Sequence, residues 1–392
     1  MSPPPAPDGA LPPLAGLRVL DFSRVLAGPY GTLYLADMGA DVVKVEAPEG
    51  GDDTRAYGPP FLDGLSTYFL SVNRGKRSIC LDLKSPEGQA QARALALAAD
   101  VVLSNFRPGV MERLGLDAAV LRAERPELIV CVIQAFDDPE DPRPGYDLLL
   151  QGLSGVPSIT GPPEGGPYKC AASIADLVSG MNATIAVLGA LHRRDQTGEG
   201  ATLRVSLHES MLSLLTYHAG AALNAGSVAP RMGNHHRSIH PFGTYPAADG
   251  HLNLAVGNDA LWRALCIALG EPERGRAPES ATNAARVANR APLDAWLCAR
   301  LAEDTVAGWI TRLTAASVPC GPILSVEQAL EGVSTLSHPH PRTGAPIQSL
   351  RLPFDMDGAP RGAARRAPEL GEHGAEVWAE WVGGAAADPP EK

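Results

Sequence analysis

A chain of 392 residues, 45% hydrophobic and 20% charged, has ordinary globular composition, which excludes a wholly disordered protein and predicts two domains or one large domain with an insertion. Its net charge of −11, from 33 basic against 44 acidic residues without a Lys or Arg block, argues against nucleic-acid binding and polybasic membrane docking. No apolar stretch is read as approaching the roughly 20 residues that a membrane span requires.

Taken in chain order, MSPPPAPDGALPPL (1–14) lacks a positive start and a sustained apolar run, so it reads as a flexible Pro-rich lead-in rather than a secretory signal. The cysteines Cys80, Cys131, Cys170, Cys266, Cys298 and Cys320 are scattered without a CxxC pair, which points to a cytoplasmic protein without a disulfide framework or zinc site. Short apolar runs then alternate with helical periodicity. Strands are expected over 17–22, 41–46, 78–83, 100–104 and 128–133, and helices over 31–38 and 87–99. That alternation predicts an α/β, Rossmann-like domain whose parallel sheet is covered on both faces.

A long helix is expected over 177–193, with Leu177, Met181, Ile185, Leu188 and Leu191 on one stripe. A strand over 203–207 and a helix over 209–224 follow. Residues 226–245 are polar, histidine-rich and marked by Gly and Pro, and read as the connection into a smaller α+β domain. That domain is expected to hold a strand at 251–256 and helices near 258–269, 292–302 and 304–316. The resulting division is a large domain over 15–225, linker and small domain over 226–320, a return to the large domain over 321–378, and a mobile tail over 379–392. Residues 337–366 read as irregular.

Several constellations are absent from the sequence: no GxGxxG follows the first strand, and neither GxxxxGK[ST] nor GxSxG occurs. The His235–His240 stretch has no carboxylate or Cys at partner spacing, so no metal site is assigned. Asp176, at the head of the long apolar helix, has two compatible readings. It is a preferred N-cap, and it is a carboxylate kept ionised by free N–H groups and the helix dipole, ready to attack a carbonyl.

Residues 13–378 resemble the class III CoA-transferases, a family that also contains formyl-CoA:oxalate and carnitine CoA-transferases and α-methylacyl-CoA racemases. The resemblance is carried by PLAGLRVLDFSRVLAGPYGTLYLADMGADVVKVEAPEGGDDTR, NRGKRSICLDLKSPEG, NFRPGVMERLGLD, GYD, IADLVSGMNATIAVLGALHRRDQTGEG, VPCGPI and APELGEH, in that order. It implies that Asp176 is the nucleophile, forming aspartyl anhydride and aspartyl-CoA thioester intermediates. It also implies CoA or acyl-CoA as substrate, no tightly bound cofactor, and an interlocked homodimer.

By position, CoA contacts fall on Leu26 and Ala27, on Asn73, Lys76 and Arg77, and on Asn105, Phe106 and Arg113. The alternative for Lys76 and Arg77 is a solvated turn, and for Phe106 a place in the core. Leu26, Ala47 and Pro144 stand where family members often carry Gln or basic residues. The racemase base, a His 30 residues before the Asp, is replaced by Tyr146, and a phenol is a poor base at neutral pH. CoA transfer is therefore favoured over racemisation. Tyr146 is read as lining the acyl pocket or as a core aromatic, and Asp147 as structural. The 134–144 loop and the 233–243 segment are expected to set specificity. His235, His236 and Arg237 would suit the second carboxylate of a dicarboxylate acceptor, and the alternative there is a hydrated hinge.

Overall fold

The structure, a computed structural model, describes residues 12–138, 141, 143–356 and 362–383. Most of the expected lead-in and tail, and part of the 134–144 loop, lie outside the described residues. The chain divides into two compact units. One comprises the residues up to 156, 170–219 and those from 334 onward; the other comprises 157–169 and 220–333. The boundaries therefore lie at 219/220 and 333/334, against 225/226 and 320/321 expected, and 157–169 joins the second unit.

The first unit is built on strands β1 (Arg18–Asp21), β2 (Asp41–Glu46), β3 (Arg77–Cys80), β4 (Val101–Ser104), β5 (Ile129–Gln134) and β6 (Thr202–Ser206). They form one sheet in the order β3-β2-β1-β4-β5-β6, every pairing parallel. Successive side chains alternate between faces. Val19, Val42, Val101 and Leu103 join the core beneath helices α1 (Ala27–Asp37) and α6 (Ile174–Thr197). Leu20, Val43 and Val102 join the opposite core. That second face receives α3 (Pro86–Ala98), which follows α2 (Thr67–Asn73), then α4 (Ala118–Glu124) and the C-terminal helix. Burial on both faces explains why the central strands read as continuous apolar runs. The strand order reverses between β1 and β4, the point at which open α/β sheets collect ligands beyond their strand ends.

Helix α6 corrects one expectation from the sequence. By length and composition it would suffice to cross a membrane, but Ala175, Ser179, Gly180, Ala183, Val187 and Ala190 are buried in the first unit, and small residues along this stripe let α1 approach. The helix expected over 209–224 is broken in two, at residues 214–215.

The second unit carries an antiparallel sheet, β7 (Phe242–Ala247), β8 (Gly250–Ala255) and β9 (Cys320–Pro322), in the order β9-β8-β7. Helices α7 (Asp259–Ala268), α8 (Arg290–Leu301) and α9 (Val306–Ala315) enclose its core of Trp262, Leu265, Leu297 and Trp309. The return to the first unit does not begin at 321: the second unit runs on to 333, and Pro322 pairs with Leu252 in this sheet. Beyond residue 333, the stretch expected to be irregular contains a hairpin, β10 (Thr335–Pro339) and β11 (Pro346–Leu350). Helix α10 (Gly374–Trp381) then closes on β3, where Arg77 pairs with Glu380 at 2.8 Å.

Candidate active site

Two glycines bring α1 and α6 together. A Cβ on Gly180 would meet the Ala27 carbonyl oxygen at 2.5 Å, and one on Gly31 would meet the Gly180 carbonyl oxygen at 2.7 Å. One turn further along both helices, Thr184 Oγ1 donates to the Gly31 carbonyl at 3.1 Å. Contacts that advance together along both helices make them parallel, with both N-termini at one end. Asp176 lies one turn before Gly180 on the same stripe. That position sets it beside the turn that precedes α1, where Leu26 and Ala27 are buried.

Asp176 is not the N-cap. Ser173 holds that position without a side-chain bond, and Asp176 lies inside the first turn. The cap comes from α5 (Asp147–Leu153): Asp147 Oδ1 accepts the Ala175 N–H at 2.9 Å, and its Oδ2 accepts from Gln151 Nε2 at 2.8 Å. Gln151 in turn accepts the Cys170 N–H at 2.8 Å, tying down the strand-free approach to α6. Asp147 is thus structural, and it leaves the Asp176 carboxylate without a hydrogen-bond donor among the described residues. Burial, with the Asp147 charge added, lifts Asp176 to about 7. The helix dipole does not hold it fully ionised, because loss of water outweighs a half-charge at the helix end.

Two tyrosines missed in the sequence stand near this carboxylate. Burial, and next the charge of Asp176, raises Tyr68 to about 12, and Tyr57 packs edge-on against Tyr68 at 5.5 Å. Neither carries a sequence signal beyond its residue type. Tyr146, at the head of α5, is 64% exposed, so it is not a core aromatic in this chain.

A cleft of about 930 Å³ opens at the C-terminal ends of the strands, walled by Phe22, Arg24, Ala47, Tyr57, Lys84 and Phe106. A second, of about 1310 Å³, contains Arg107, Arg113, Arg122 and Arg204. Phe106 lines both and tilts against Phe22 at 6.4 Å. Neither cleft is walled by Asp176; the first approaches it through Tyr57 and Tyr68.

The segment Asn73–Arg77 departs from the expectation. Lys76 has no exposure, and its Nζ reaches Asp21 at 3.2 Å, the Pro29 carbonyl at 2.9 Å and Asn73 Oδ1 at 2.9 Å. Arg77 is buried against Asp41, Glu376 and Glu380. Asn73 is buried and spends its amide on Phe69. Lys76 and Asn73 face interior groups, and Arg77, itself buried, is taken up by three partly exposed carboxylates, so they are neither a solvated turn nor available to a phosphate. Asn105 is likewise committed: its Oδ1 accepts the Arg24 N–H at 2.8 Å and its Nδ2 donates to the Arg24 carbonyl at 2.7 Å. Beyond these and the buried Lys44, the cations of the cleft walls are Arg24, which pairs with Asp53 at 2.7 Å, Lys84, Arg107, Arg113, Arg122 and Arg204.

His235, His236 and Arg237 belong to the second unit. Burial lowers both histidines below their ordinary value, so each is neutral at pH 7. Of the three, Arg237 supplies the charge, and Arg290 stands beside them, its Nη2 donating to the His236 carbonyl at 2.8 Å. Arg237 Nη2 donates to Ser227 at 2.9 Å, while its Nη1 is buried without a partner.

The chain belongs to CoA-transferase family III, whose profile matches residues 14–374. It is a class III CoA-transferase. The succinate–glutarate CoA-transferase of Agrobacterium fabrum is 40% identical, covering 94% of this chain and 96% of that protein. The acetyl-CoA:oxalate CoA-transferase of Acetobacter aceti is 37% identical over 94% of this chain and 96% of its own. Among solved structures, a CaiB/BaiF family protein from Brucella suis superposes with a TM-score of 0.82 at 38% identity, covering 95% of this chain and all of that one.

Proposed function

We propose that the protein moves CoA from an acyl-CoA donor, succinyl-CoA or a close relative, to a dicarboxylic acid, with Asp176 as nucleophile. The observation that carries this reading is a carboxylate at the start of α6 that caps nothing and accepts no hydrogen bond from the described residues, because Asp147 does the capping. The acids in the relatives' names, succinate, glutarate and oxalate, support the acceptor class.

In the forward sequence the ionised Asp176 adds to the thioester carbonyl; a C–O bond forms, the C–S bond breaks and CoA leaves as thiolate. The thiolate then attacks the aspartyl carbonyl of the anhydride, releasing the donor acid as carboxylate and leaving an aspartyl-CoA thioester. The acceptor carboxylate attacks that thioester, and the returning thiolate takes the acceptor's acyl group, which restores Asp176. No net proton moves, so the protein contributes orientation, water exclusion and a fixed polar environment for the oxyanions. CoA is a substrate throughout. Its nucleotide is assigned to the clefts on either side of Phe106, with Arg24, Lys84, Arg107 and Arg113 as phosphate partners in place of Lys76 and Arg77. The second carboxylate of the acceptor is assigned to Arg237.

Assembly as an interlocked homodimer, which the resemblance implies, is supported by the exposure of Leu148, Leu149 and Leu153 along α5; apolar side chains in a row ask for cover. A monomer by light scattering at micromolar concentration would count against it. The catalytic reading is tested by mixing the protein with succinyl-CoA, quenching with hydroxylamine or borohydride, and locating the modification by mass spectrometry beside Asp176→Ala. Modification at Asp176 in the wild type alone is expected. No modification, together with α-proton exchange from D₂O into a branched acyl-CoA, would replace transfer by racemisation.

A further inference from the structure

The turn between β1 and α1 is held in an unusual manner. Four consecutive polar groups of its backbone are engaged by side chains. Lys44 Nζ donates to the Ser23 carbonyl at 2.7 Å. Asn105 takes both the N–H and the carbonyl of Arg24, at 2.8 and 2.7 Å. Asp52 accepts the Val25 N–H, both carboxylate oxygens lying at 3.3 Å. Lys44 and Asp52 pair with each other at 2.8 Å, with no exposure of either side chain. Burial pushes Asp52 upward, but Lys44 and the hydrogen bonds from Thr54 bring it down to about 2, so this carboxylate is ionised at neutral pH. Val25 sits at φ +67°, a conformation that β-branched residues avoid.

These holders come from β2, from the loop after it and from the end of β4, so the clamp spans the point where the strand order reverses. The segment it fixes leads directly into Leu26 and Ala27, which stand beside Asp176.

We propose that Lys44, Asp52 and Asn105 are positioning residues for the transfer reaction: together they hold residues 23–25 in a conformation that the sequence itself resists, and so fix the start of α1 against the nucleophile. This rests on Asp176 as nucleophile and reassigns Asn105 from a CoA contact to a clamp. A turn whose polar groups were satisfied by backbone would keep its shape without help, whereas this one loses its shape when its side-chain partners go.

The test uses the full-length protein with succinyl-CoA as probe, following single-turnover modification of Asp176 and steady-state kinetics. Asn105→Ala should lower kcat by about 10–100-fold, the range that a small misplacement in a reacting pair produces. Its KM for succinyl-CoA should move less than about threefold, since an interaction of the reacting geometry rather than of uniform binding is lost. Asp52→Asn should also lower kcat at temperatures where circular dichroism shows it folded. Val25→Gly, introduced on Asn105→Ala, should recover part of the lost rate, because glycine adopts the positive φ unaided; a purely structural clamp gives no such recovery.

A raised KM with kcat intact in Asn105→Ala would make Asn105 a ligand contact and overturn the proposal, as would an unchanged single-turnover rate. Failure of the glycine rescue would also overturn it. Absence of modification at Asp176 in the wild type, run in parallel, would instead overturn the nucleophile assignment.

Discussion

Asp147 and Asp176 divide between them two tasks, capping and the proposed attack, that a single carboxylate would perform badly. Asp147 reaches across 28 residues of sequence to accept the Ala175 N–H at 2.9 Å, and so completes the first turn of the helix on which Asp176 rides. A capping carboxylate has its lone pairs engaged by N–H groups and is a weaker nucleophile for it. The proximity also has a price in protonation: the Asp147 charge adds to burial in raising Asp176 to about 7.

Removing that charge should be visible in the pH profile. With Asp176 near 7 in the free protein, kcat/KM for the acyl-CoA rises with pH through that region, because the ionised form attacks. Asp147→Asn retains an oxygen for the Ala175 N–H but removes the charge, so the acid limb should move to lower pH. It also turns an N–H toward Gln151, so some loss of kcat should accompany the shift. A limb that stays in place would show that Asp147 does not set the protonation of Asp176.

The same shift makes a stability prediction of definite sign. Asp176 has a higher pKa folded than its ordinary 3.8, so the folded state holds the proton more tightly. Stability is fully present below 3.8 and is lost as pH rises toward 7. Asp176→Asn removes this liability while removing the proposed nucleophile. Above neutral pH it should be more stable than the wild type by about 1–3 kcal/mol, after allowance for partial solvent screening. The gain should shrink as pH falls and vanish below pH 4. Denaturant melts at pH 8 and pH 4 decide it; an equal difference at both would remove the explanation.

Gly180→Ala should damage alignment. The added carbon would sit 2.5 Å from the Ala27 carbonyl oxygen, so α1 must move, at about 1–3 kcal/mol in stability and with a fall in kcat. Gly189→Ala on the same helix meets nothing within 4 Å and should be neutral or stabilising by up to about 1 kcal/mol. Comparable kinetics for both variants would show that the α1–α6 seating does not govern the chemistry.

Lys76 offers a direct check on the reassignment of the phosphate partners. Lys76→Met strands Asp21 in the interior, and breaking one side of such a pair typically costs about 3–5 kcal/mol. Below its lowered melting temperature the variant should retain the wild-type KM for acyl-CoA. A tenfold or larger rise in KM, on the order of one lost charged contact, would return Lys76 to the ligand.

Arg237→Ala separates acceptor classes. KM should rise for dicarboxylates such as glutarate and succinate and stay near the wild-type value for monocarboxylates, because only the former carry a second charge. Equal changes for both, or none, would remove Arg237 from acceptor recognition. His235→Ala should have a smaller effect than Arg237→Ala, since burial keeps that histidine neutral.

The sheet was legible because its strands announce themselves: VVKVE, DVVLS and LIVCVI are apolar runs of strand length between helical segments, and all three lie in the parallel sheet. The start of α1 was not. Ala27-Gly28-Pro29 reads as a turn, yet the helix begins there, because proline is tolerated in a first turn whose N–H groups are unpaired. Gly28 is required there as well, for a Cβ at that position would overlap Ser23.

Lys76 and Arg77 misled for a different reason. Basic residues near a turn resemble surface ligands, and nothing local reveals that Asp21 and Asp41 wait 55 and 36 residues away. Asp176 was found through the order of the surrounding segments, whereas its missing cap could be seen only once Asp147 was in place. Charged pairs between distant stretches leave no periodic trace in a sequence; only the fold brings them together.

The seating of α1 on α6 also bears on how such a protein can change over time. Gly31 and Gly180 meet through their backbones, so there is no side chain at that joint whose replacement could be absorbed by repacking, and the joint is either kept or lost. Arg237 and its neighbours lie in another unit of the chain, outside that constraint. On the proposed assignments, a descendant can exchange one acid for another by altering the second stretch alone, while the joint that seats the proposed nucleophile is inherited unchanged.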